Sequence, residues 1–312
     1  MLMSPDQARV VDPILTEHAR GYTNAEFIWN GLFPTVTMPT RAAKRIEFGR
    51  DSFKRPPVKR APGAQIGQMD FGYEGKNVAL TQRALSAKTP VEHLEEAAEV
   101  PGIDLQRMAV DLVLNVIALD KEIEAATIAR NAALYPNNNK IALTDADKWS
   151  DAASDPLDQL GDYRETIRKR IGKRPNTLAV GGALATALST HPKIRDHFKY
   201  TTSSTVTVDM LKAYFQVDNL LVGDAIYDQQ DGTSLDIWGG DAILAYVAPA
   251  STAGQRNMAL PSYGYTYQLR GHPFVQPPVY VRDFRSWFND VFDEYSPELV
   301  GADAGFLIQN AL

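Results

Sequence analysis

The sequence predicts a mixed α+β fold, and two unlike segments near its start are the main basis for that prediction. Residues 41–60 form a basic segment broken by proline and glycine, with eight Lys and Arg side chains against two acids. Residues 104–134 contain neither proline nor glycine and carry apolar residues at helical spacing. A charged segment that cannot bury itself, followed by a long stiff helix, is more typical of an assembly element than of a catalytic pocket.

Composition excludes several classes of protein. The 312 residues include no cysteine, which rules out disulfides, thiolate nucleophiles and cysteine-based zinc sites and suits a reducing cytoplasm. No stretch of about 18 apolar residues is present, and the first residues lack the charged and apolar regions of a signal peptide. We therefore predict no membrane partner.

The net charge of −6 conceals an asymmetry along the chain. Without the +6 of the basic segment the remainder carries −12, and residues 91–158 alone hold fourteen acids against five Lys and Arg, a net −9. A basic arm on an acidic body can bind nucleic acid, or it can bind the acidic body of a second copy. A solvated charged loop is the third interpretation.

The first elements are predicted to be an arm and a hairpin. Residues 1–44 form the arm, whose large apolar side chains between Tyr22 and Phe33 are expected to dock on another surface. Residues 45–88 form the hairpin, with a strand at IEFGRDSF, a proline-rich loop and one returning strand through QMDFGYEGKNVALTQRAL. Because a two-stranded hairpin is marginal alone in water, it should lie against another surface.

The long helix is predicted to span residues 104–134, with Asp104 as its N-cap and Pro136 beyond its end. One apolar stripe follows the helical repeat and is predicted to face a sheet built partly from the last fifty residues. Asp111 and Glu122 lie off this stripe, so we expect charge reversal there to cost the fold little. The stripe residues are Leu105, Met108, Leu112, Val116, Leu119, Ile123 and Ala126.

A compact α/β region is predicted next. A helix over residues 155–171 is expected to be capped by Ser154 or Asp155 and ended by Gly172. Strands are expected at NTLAVG, NLLVGDAIYD, LDIWGGD and AILAYVA, and helices at GALATALSTHP and VTVDMLKAYFQV.

The last part of the chain, from Tyr263 onward, is predicted to be antiparallel β structure. Pro297, Gly301 and Gly305 are expected to mark its turns. The alternating tyrosines at the start of this region are expected to share one face of a sheet.

No motif in the chain predicts catalysis, a cofactor or a metal. The acids between Asp145 and Asp158 do not fit a calcium loop, whose sixth position would be Ser150 and whose twelfth would be Pro156. The five histidines form no zinc motif, and neither a nucleophile elbow nor a nucleotide-binding glycine motif occurs. We therefore expect a protein that is not an enzyme and uses no cofactor.

Taken in order, the segments resemble one family, the major capsid proteins of tailed double-stranded DNA bacteriophages. FIWNGLFPTVTMPT resembles the N-terminal segment of the family. The hairpin resembles the family's extended loop, and the long helix resembles the family's spine helix. KWSDAASDPLDQLGDYRETI resembles its peripheral domain. RPNTLAVGGALATALSTHPKIRDHFKY, with DNLLVGDAIYD and IWGGDAILAYV, resembles its axial domain. The resemblance implies the Hong Kong ninety-seven-type capsid fold, which encapsulin shells share.

The resemblance also implies a division of the chain into five parts. The extended loop of one subunit would reach over the peripheral domain of its neighbour, and axial domains would meet at the centre of each ring. The parts are an N-terminal arm at 1–44, an extended loop hairpin at 45–88, a peripheral domain at 89–172 with the spine helix at 104–134, an axial domain at 173–262 and a return to the peripheral sheet at 263–312.

The implied function is self-assembly, as pentamers and hexamers, into an icosahedral head around a double-stranded DNA genome. The expected partners are other copies, a separate scaffolding protein, a portal and, as a further candidate, a decoration protein, with non-specific DNA contacts on the inner face. The expected location is the virion, after assembly in the host bacterial cytoplasm. Lys54, Lys59 and Lys76 lie in or near the hairpin, but no asparagine partner for a covalent cross-link is identified.

The predicted site residues are basic side chains that would hold the hairpin on a neighbour's acidic surface. They are Arg41, Lys44, Arg45, Arg50, Lys54, Arg55, Lys59 and Arg60.

Three alternatives stay open at this point. An encapsulin-like compartment shares the fold but would need a cargo-peptide groove, which the sequence does not identify. A nucleic-acid-binding protein would use the basic arm and show steep salt dependence. A hydrolase would need a site that no motif supports.

Overall fold

Two β-sheets, and one long helix that packs against both, organise the fold. The computed structural model describes most of the chain. The described residues are 12, 15–16, 19–20, 26–47, 74–98, 104–199, 206–229, 232–250 and 262–312.

The helices and strands alternate irregularly along the chain, as a mixed α+β fold requires. The helices whose bounds the structure defines are α1 (Trp29–Leu32), α2 (Val91–Ala98), α3 (Leu105–Ala129), α4 (Pro156–Ile171), α5 (Gly182–Thr190), α6 (Pro192–Phe198) and α7 (Val208–Tyr214). The strands are β1 (Thr35–Met38), β2 (Ala42–Glu47), β3 (Glu74–Ala79), β4 (Thr81–Pro90), β5 (Lys140–Ala142), β6 (Thr177–Gly181), β7 (Asn219–Gly223), β8 (Ile226–Asp228), β9 (Ser234–Asp236), β10 (Ala242–Ala245), β11 (Gly264–Leu269), β12 (Phe274–Val275), β13 (Val279–Val281), β14 (Ser286–Leu299) and β15 (Gly305–Gln309).

A six-stranded sheet is built around β14, its longest strand. β14 pairs antiparallel with β4, from Ser286 opposite Pro90 to Tyr295 opposite Thr81. β13, β12 and β11 pair with β14 in succession, and β1 pairs parallel with β11. β4 has no second partner strand among the described residues, so it is an edge of this sheet.

The long helix α3 packs across this sheet, which confirms the predicted pairing of helix and sheet. It does so through a different face from the predicted stripe. The buried side chains of α3 in this contact are Val110, Val113, Leu114 and Ile117, and those opposite them are Val275, Val291 and Tyr295.

The prediction that Leu112 faces the core is wrong. Its side chain is 64% exposed, and Met108 and Val116 are exposed on the same face. The stripe continues into the interior at Leu119 and Ile123, which pack against the second sheet region. Periodicity identified an apolar face correctly, but α3 carries two apolar faces, and spacing does not say which one meets a sheet.

The ends of α3 follow local chemistry. Asp104 is the N-cap, since its side chain accepts hydrogen bonds from the N–H groups of Gln106 and Arg107, as predicted. The helix ends at Ala129, earlier than the predicted Leu134, because Asn131 starts a separate turn in which its side chain accepts from the Ala133 N–H.

None of the described helices is both long and apolar enough to span a bilayer.

A five-stranded sheet, in the order β5-β15-β10-β6-β7, forms the second half of the fold. β6 and β10 are buried along their whole length, which explains their uninterrupted apolar sequences. The predicted helix after residue 155 is confirmed: Asp155 caps α4, and Gly172 ends it in the left-handed conformation (φ 68°). The elements expected around NTLAVG and AILAYVA are likewise present.

The returning strand of the predicted hairpin is divided in two. β3 pairs with β2 in a separate two-stranded ribbon, whereas β4 joins the six-stranded sheet. Leu80 separates them, because its N–H donates to the Arg41 carbonyl at the base of the ribbon. The division of the chain into five parts stays a prediction.

Pro297 does not mark a turn, contrary to the sequence prediction. It lies within β14, opposite Thr266 of β11. β4 already ends at the level of Tyr295, so the missing N–H of the proline removes no bond to a strand on that side. Gly301 precedes the turn at residues 302–304, and Gly305 starts β15.

Substitutions of Ile117 and Leu112 should separate the two faces of α3. Ile117→Ala should lower the free energy of unfolding of the isolated chain by about 2–5 kcal/mol, because it leaves a cavity against the sheet. Leu112→Ala should change it by less than about 0.5 kcal/mol, because the side chain is exposed. Urea unfolding measures both, and an equal loss in the two variants would contradict the packing described.

Candidate functional site

The base of the β2–β3 ribbon is the clearest candidate for a functional surface, because the predicted contact residues begin there. The N–H of Leu80 donates to the carbonyl oxygen of Arg41 (2.8 Å) and closes this base. Val78 is buried in a small cluster with Tyr265. The ribbon is therefore anchored at its base, while Lys44, further along, is exposed.

An ion pair fixes the same base to the centre of the sheet. The Arg41 guanidinium donates from Nε to Oε2 of Glu294 (2.8 Å) and from a terminal nitrogen to Oε1 (2.9 Å). The Glu294 side chain is buried, whereas that of Arg41 is 72% exposed. The hydrogen bonds and the charge of Glu294 raise the pKa of Arg41. This two-bond geometry holds the guanidinium in one orientation.

The neighbours of Glu294 in β14 point to the opposite face of the sheet, toward α3. Lys121 Nζ lies 2.6 Å from Oδ2 of Asp293, and the Gln268 amide donates to Oδ1 (2.9 Å). The Tyr295 hydroxyl donates to Oδ2 of Asp120 (2.8 Å), and burial raises the pKa of this tyrosine. Asp293, Glu294 and Tyr295 of this buried strand therefore each have a defined partner.

Arg83 of β4 completes the contact between the sheet and α3. Its guanidinium bonds Asp120 (2.7 Å) and Glu124 (2.5 Å) and lies 4.0 Å from the centre of the Tyr295 ring. Burial raises the pKa of Glu124, although the charge of Arg83 opposes that shift. The edge strand is thereby tied to the long helix by charge as well as by packing.

A buried carboxylate, Glu122, connects three separate segments. Its Oε1 accepts from the N–H of Ile28 (3.0 Å) and from the indole N–H of Trp238 (2.5 Å), and its Oε2 accepts from the N–H of Trp29 (2.8 Å). Burial raises the pKa of Glu122, and the three hydrogen bonds oppose that rise. The expectation that charge reversal at Glu122 is mild is contradicted by this fully buried position.

The eight predicted site residues fall into two groups. Arg41 is in the ion pair with Glu294, Lys44 is exposed, and the backbone of Arg45 pairs with Lys76 in the ribbon. The others lie outside the described residues: Arg50, Lys54, Arg55, Lys59 and Arg60. The contact of these eight residues with a neighbouring copy stays a prediction. Arg41 also has a role within its own chain, which the sequence did not predict.

Sequence reasoning missed Glu122 and Glu294, although both carried a signal. Glu294 stands in an acidic pair within a strand otherwise rich in aromatic residues, where a buried charge needs a partner. Glu122 occupies a helix position whose neighbours one turn away are apolar. Finding their partners, however, requires contacts between residues 93 to 253 positions apart.

The surface beside the ribbon base is concave. A groove of about 420 Å³ lies between Lys76, Glu124 and residues 296–303. Among the described residues, no group of three or more His, Asp or Glu side chains is placed to hold a metal ion. The groove is lined by both charged and apolar side chains.

Comparison with known proteins identifies close relatives. The sequence family described as "Phage major capsid protein E" matches residues 103–289. The chain is similar to the major capsid protein of Burkholderia phage BcepMu, with 36% identity over 301 residues, 96% of each chain.

Solved structures show the same fold. The chain is similar to the crystal structure of a phage-related protein from Bordetella bronchiseptica RB50, with 40% identity, a TM-score of 0.83 and coverage of 98% of each chain. The capsid structure of cyanophage P-SCSP1u has a TM-score of 0.57 at 10% identity, over 93% of this chain and 89% of that one. The second comparison supports the capsid fold alone.

Glu122→Gln should lower the free energy of unfolding by about 1–3 kcal/mol, because one amide cannot accept from all three donors. The pKa of Glu122 is raised in the folded chain, so its contribution to stability is greatest in acid. That contribution declines as the pH rises from the ordinary pKa of 4.5 toward the folded value. The cost of the substitution should therefore be larger at pH 4 than at pH 7 in urea unfolding.

Glu165→Gln is the matched control, since Glu165 is an exposed acid of α4 in a surface ion pair. It should cost less than Glu122→Gln at each pH. A greater cost for Glu122→Gln at pH 7 than at pH 4 would show that the hydrogen bonds outweigh burial.

Arg41→Ala should destabilise the chain more than Arg168→Ala, although both arginines are exposed. Arg41 neutralises a buried carboxylate, whereas Arg168 pairs with the exposed Glu165. Adding Glu294→Gln to Arg41→Ala should restore much of the lost melting temperature. Thermal unfolding of the isolated chain tests this, and no restoration in the double variant would contradict the pairing.

Proposed function

The chain belongs to the phage major capsid protein E family, and we propose that it builds a phage head through contacts made by its loop between neighbouring copies. Members of this family are structural subunits of the capsid shell, and this chain has that function in the virion. The relative at 36% identity is a phage major capsid protein, which favours a phage head over the compartment and nucleic-acid-binding alternatives.

The anchored base of the ribbon is the observation that supports the loop contact. Arg41 and Val78 hold the base of the ribbon on the sheet, while its other end, at Glu47 and Glu74, joins the basic residues 48–73. A two-stranded ribbon is marginal by itself in water, so its outer part gains stability from a second surface. In a shell, a neighbouring subunit supplies that surface.

The finer features of assembly are proposals drawn from the resemblance. The subunits form pentamers and hexamers, with a separate scaffolding protein, a portal and a candidate decoration protein as partners. Packaged double-stranded DNA contacts the inner face without sequence specificity. Assembly takes place in the host bacterial cytoplasm, and the protein acts without catalysis or a cofactor.

Charge on the loop should matter for assembly. The basic segment at 41–60 carries +6, and residues 91–158 carry −9, so opposite patches can meet between copies. Single surface ion pairs contribute only about 0–1 kcal/mol each, but a shell repeats every contact many times. Weak repeated contacts are sufficient to close a particle.

Lys54→Glu with Arg55→Glu should block shell formation and leave the subunit folded. Negative-stain imaging should show closed particles for the wild-type chain and none for this variant, while the two circular dichroism spectra agree. Lys173→Glu with Arg174→Glu makes the same change of charge at the end of α4 and should still give particles. Normal shells from the loop variant would refute the electrostatic contact.

A further inference from the structure

The edge strand β4 uses only one of its two sides for pairing. Among the described residues it pairs with β14 alone. The ladder continues just past β4, where the N–H of Val91 donates to the carbonyl oxygen of Arg285 (3.0 Å). In an antiparallel ladder every second residue bonds to the partner strand. The odd-numbered residues of β4 are therefore the ones whose backbone groups point to β14.

The even-numbered residues of β4 direct their backbone groups away from the sheet, and two further bonds agree with this assignment. Across β14, the carbonyl oxygen of Asp290 accepts from the N–H of Gln276 (2.9 Å), so even residues of β14 point away from β4. The N–H of Leu80, just before β4, donates to the Arg41 carbonyl on the outer side. The outward residues of β4 that keep an N–H are Gln82, Ala84, Ser86 and Lys88, and their side chains are exposed.

This outward stretch has a defined beginning and end. The N–H of Leu80 is already bonded to Arg41, and Pro90 has no N–H to offer. Between them, the backbone groups of the four outward residues meet no partner in the described part of the chain. An open edge of this kind is a template for an added strand.

The open edge is complementary to itself under a two-fold rotation. Two copies of β4 placed antiparallel, with Leu85 on the axis, bring Ala84 opposite Ser86 of the second copy and Gln82 opposite Lys88 of the second copy. All four outward residues of each copy then form hydrogen-bonded pairs, with about eight N–H···O bonds in total. A two-fold interface of identical surfaces requires this kind of self-complementarity.

Neighbouring registers lose part of this pairing. A shift of the axis to Ala84 would bring Lys88 opposite Leu80, whose N–H is already used by Arg41. A shift to Ser86 would bring Gln82 opposite Pro90, which lacks an N–H. The two occupied or missing donors therefore select the register centred on Leu85.

The side chains agree with the same register. Leu85 is 42% exposed, although Val291, opposite it in β14, is completely buried in the core beneath α3. A second Leu85 beside the first would continue this apolar row across the axis. On the charged positions, Lys88 lies opposite Gln82 and Arg83 lies opposite Ala87, so no two like charges face each other.

We propose that β4 strands of two copies pair antiparallel about a two-fold axis at Leu85, so that two six-stranded sheets become one continuous sheet. The proposal rests on the proposed function, because assembly into a shell brings the copies together. The partner is a second copy of this chain, and the pairing covers the edge that the isolated subunit leaves open.

The cysteine-free chain allows a direct test of the register. The backbone groups of Leu85 point to β14, so the two Leu85 residues form a non-hydrogen-bonded pair with Cα atoms about 4.5 Å apart. That separation suits a disulfide. Leu85→Cys shells treated with a mild oxidant should give a covalent dimer, read on a non-reducing gel.

Gln82→Cys is the matched control, because it is an exposed residue of the same strand. In the proposed register the two Gln82 residues lie about 20 Å apart, so their thiols cannot meet. We expect at least ten-fold less covalent dimer from Gln82→Cys shells than from Leu85→Cys shells.

The outcomes separate the pairing from the shell. Equal dimer yields from the two cysteine variants in well-formed shells would overturn the pairing and leave the proposed function standing. A wild-type chain that forms no shell would overturn both. Hydrogen exchange of the isolated wild-type monomer adds a third arm: slow exchange at the amides of Ala84 and Ser86 would show that the chain covers its own edge, and would overturn the pairing.

A proline substitution gives a second readout. Ser86→Pro removes one outward N–H, whereas Ser86→Ala keeps it. Both isolated variants should melt within about 5 °C of wild type, because proline is tolerated on an edge strand where its nitrogen faces solvent. Ser86→Pro should reduce the yield of shells at least ten-fold, and Ser86→Ala should not. A normal shell yield from Ser86→Pro would refute the pairing.

Discussion

The buried carboxylate of Glu122 is the interaction on which the arrangement of the two sheets depends. It lies in the middle of α3 and receives one N–H from each of two adjacent residues of the N-terminal segment and one from Trp238 near the five-stranded sheet. Hydrogen bonds to a charged group are worth about 1.5–3 kcal/mol each, and three of them offset part of the cost of burying the carboxylate, whose pKa remains raised. Two aliphatic faces alone would allow the segments to slide, whereas these bonds fix their register.

Buried polar side chains also connect the six-stranded sheet to the elements packed on its two faces. Asp293 and Tyr295 bind α3 on one face of β14, and Glu294 binds Arg41 on the other face. Because successive side chains of a strand point to opposite faces of the sheet, neighbouring residues of β14 bind the long helix on one face and the base of the ribbon on the other. The base of the ribbon is held at a defined position relative to α3 because both are fixed to the same backbone.

Local sequence signals predicted the helices and strands. The packing of those elements, and the partners of the buried acids, depend on long-range contacts. Asp104, Asp155 and Gly172 act where capping chemistry places them, and the apolar runs at β6 and β10 are buried strands. The face of α3 that meets the sheet was not predictable, because the helix has apolar residues on two faces. The partners of Glu122 and Glu294 were not predictable either, since they are far away in sequence. The order of segments, in contrast, identified the family before any contact was known.

Leu80 gives the ribbon a mechanical property. One residue separates β3 from β4, and the two strands belong to different sheets, so a small rotation at this residue is amplified along the ribbon. The six residues of β3 extend about 20 Å, and a turn of about 10° at Leu80 moves their far end by about 3.5 Å. In the proposed shell, rings of five and of six would place a neighbour at different angles. A pivot at Leu80 would let the outer end of the ribbon follow that angle while the body of each subunit keeps its shape.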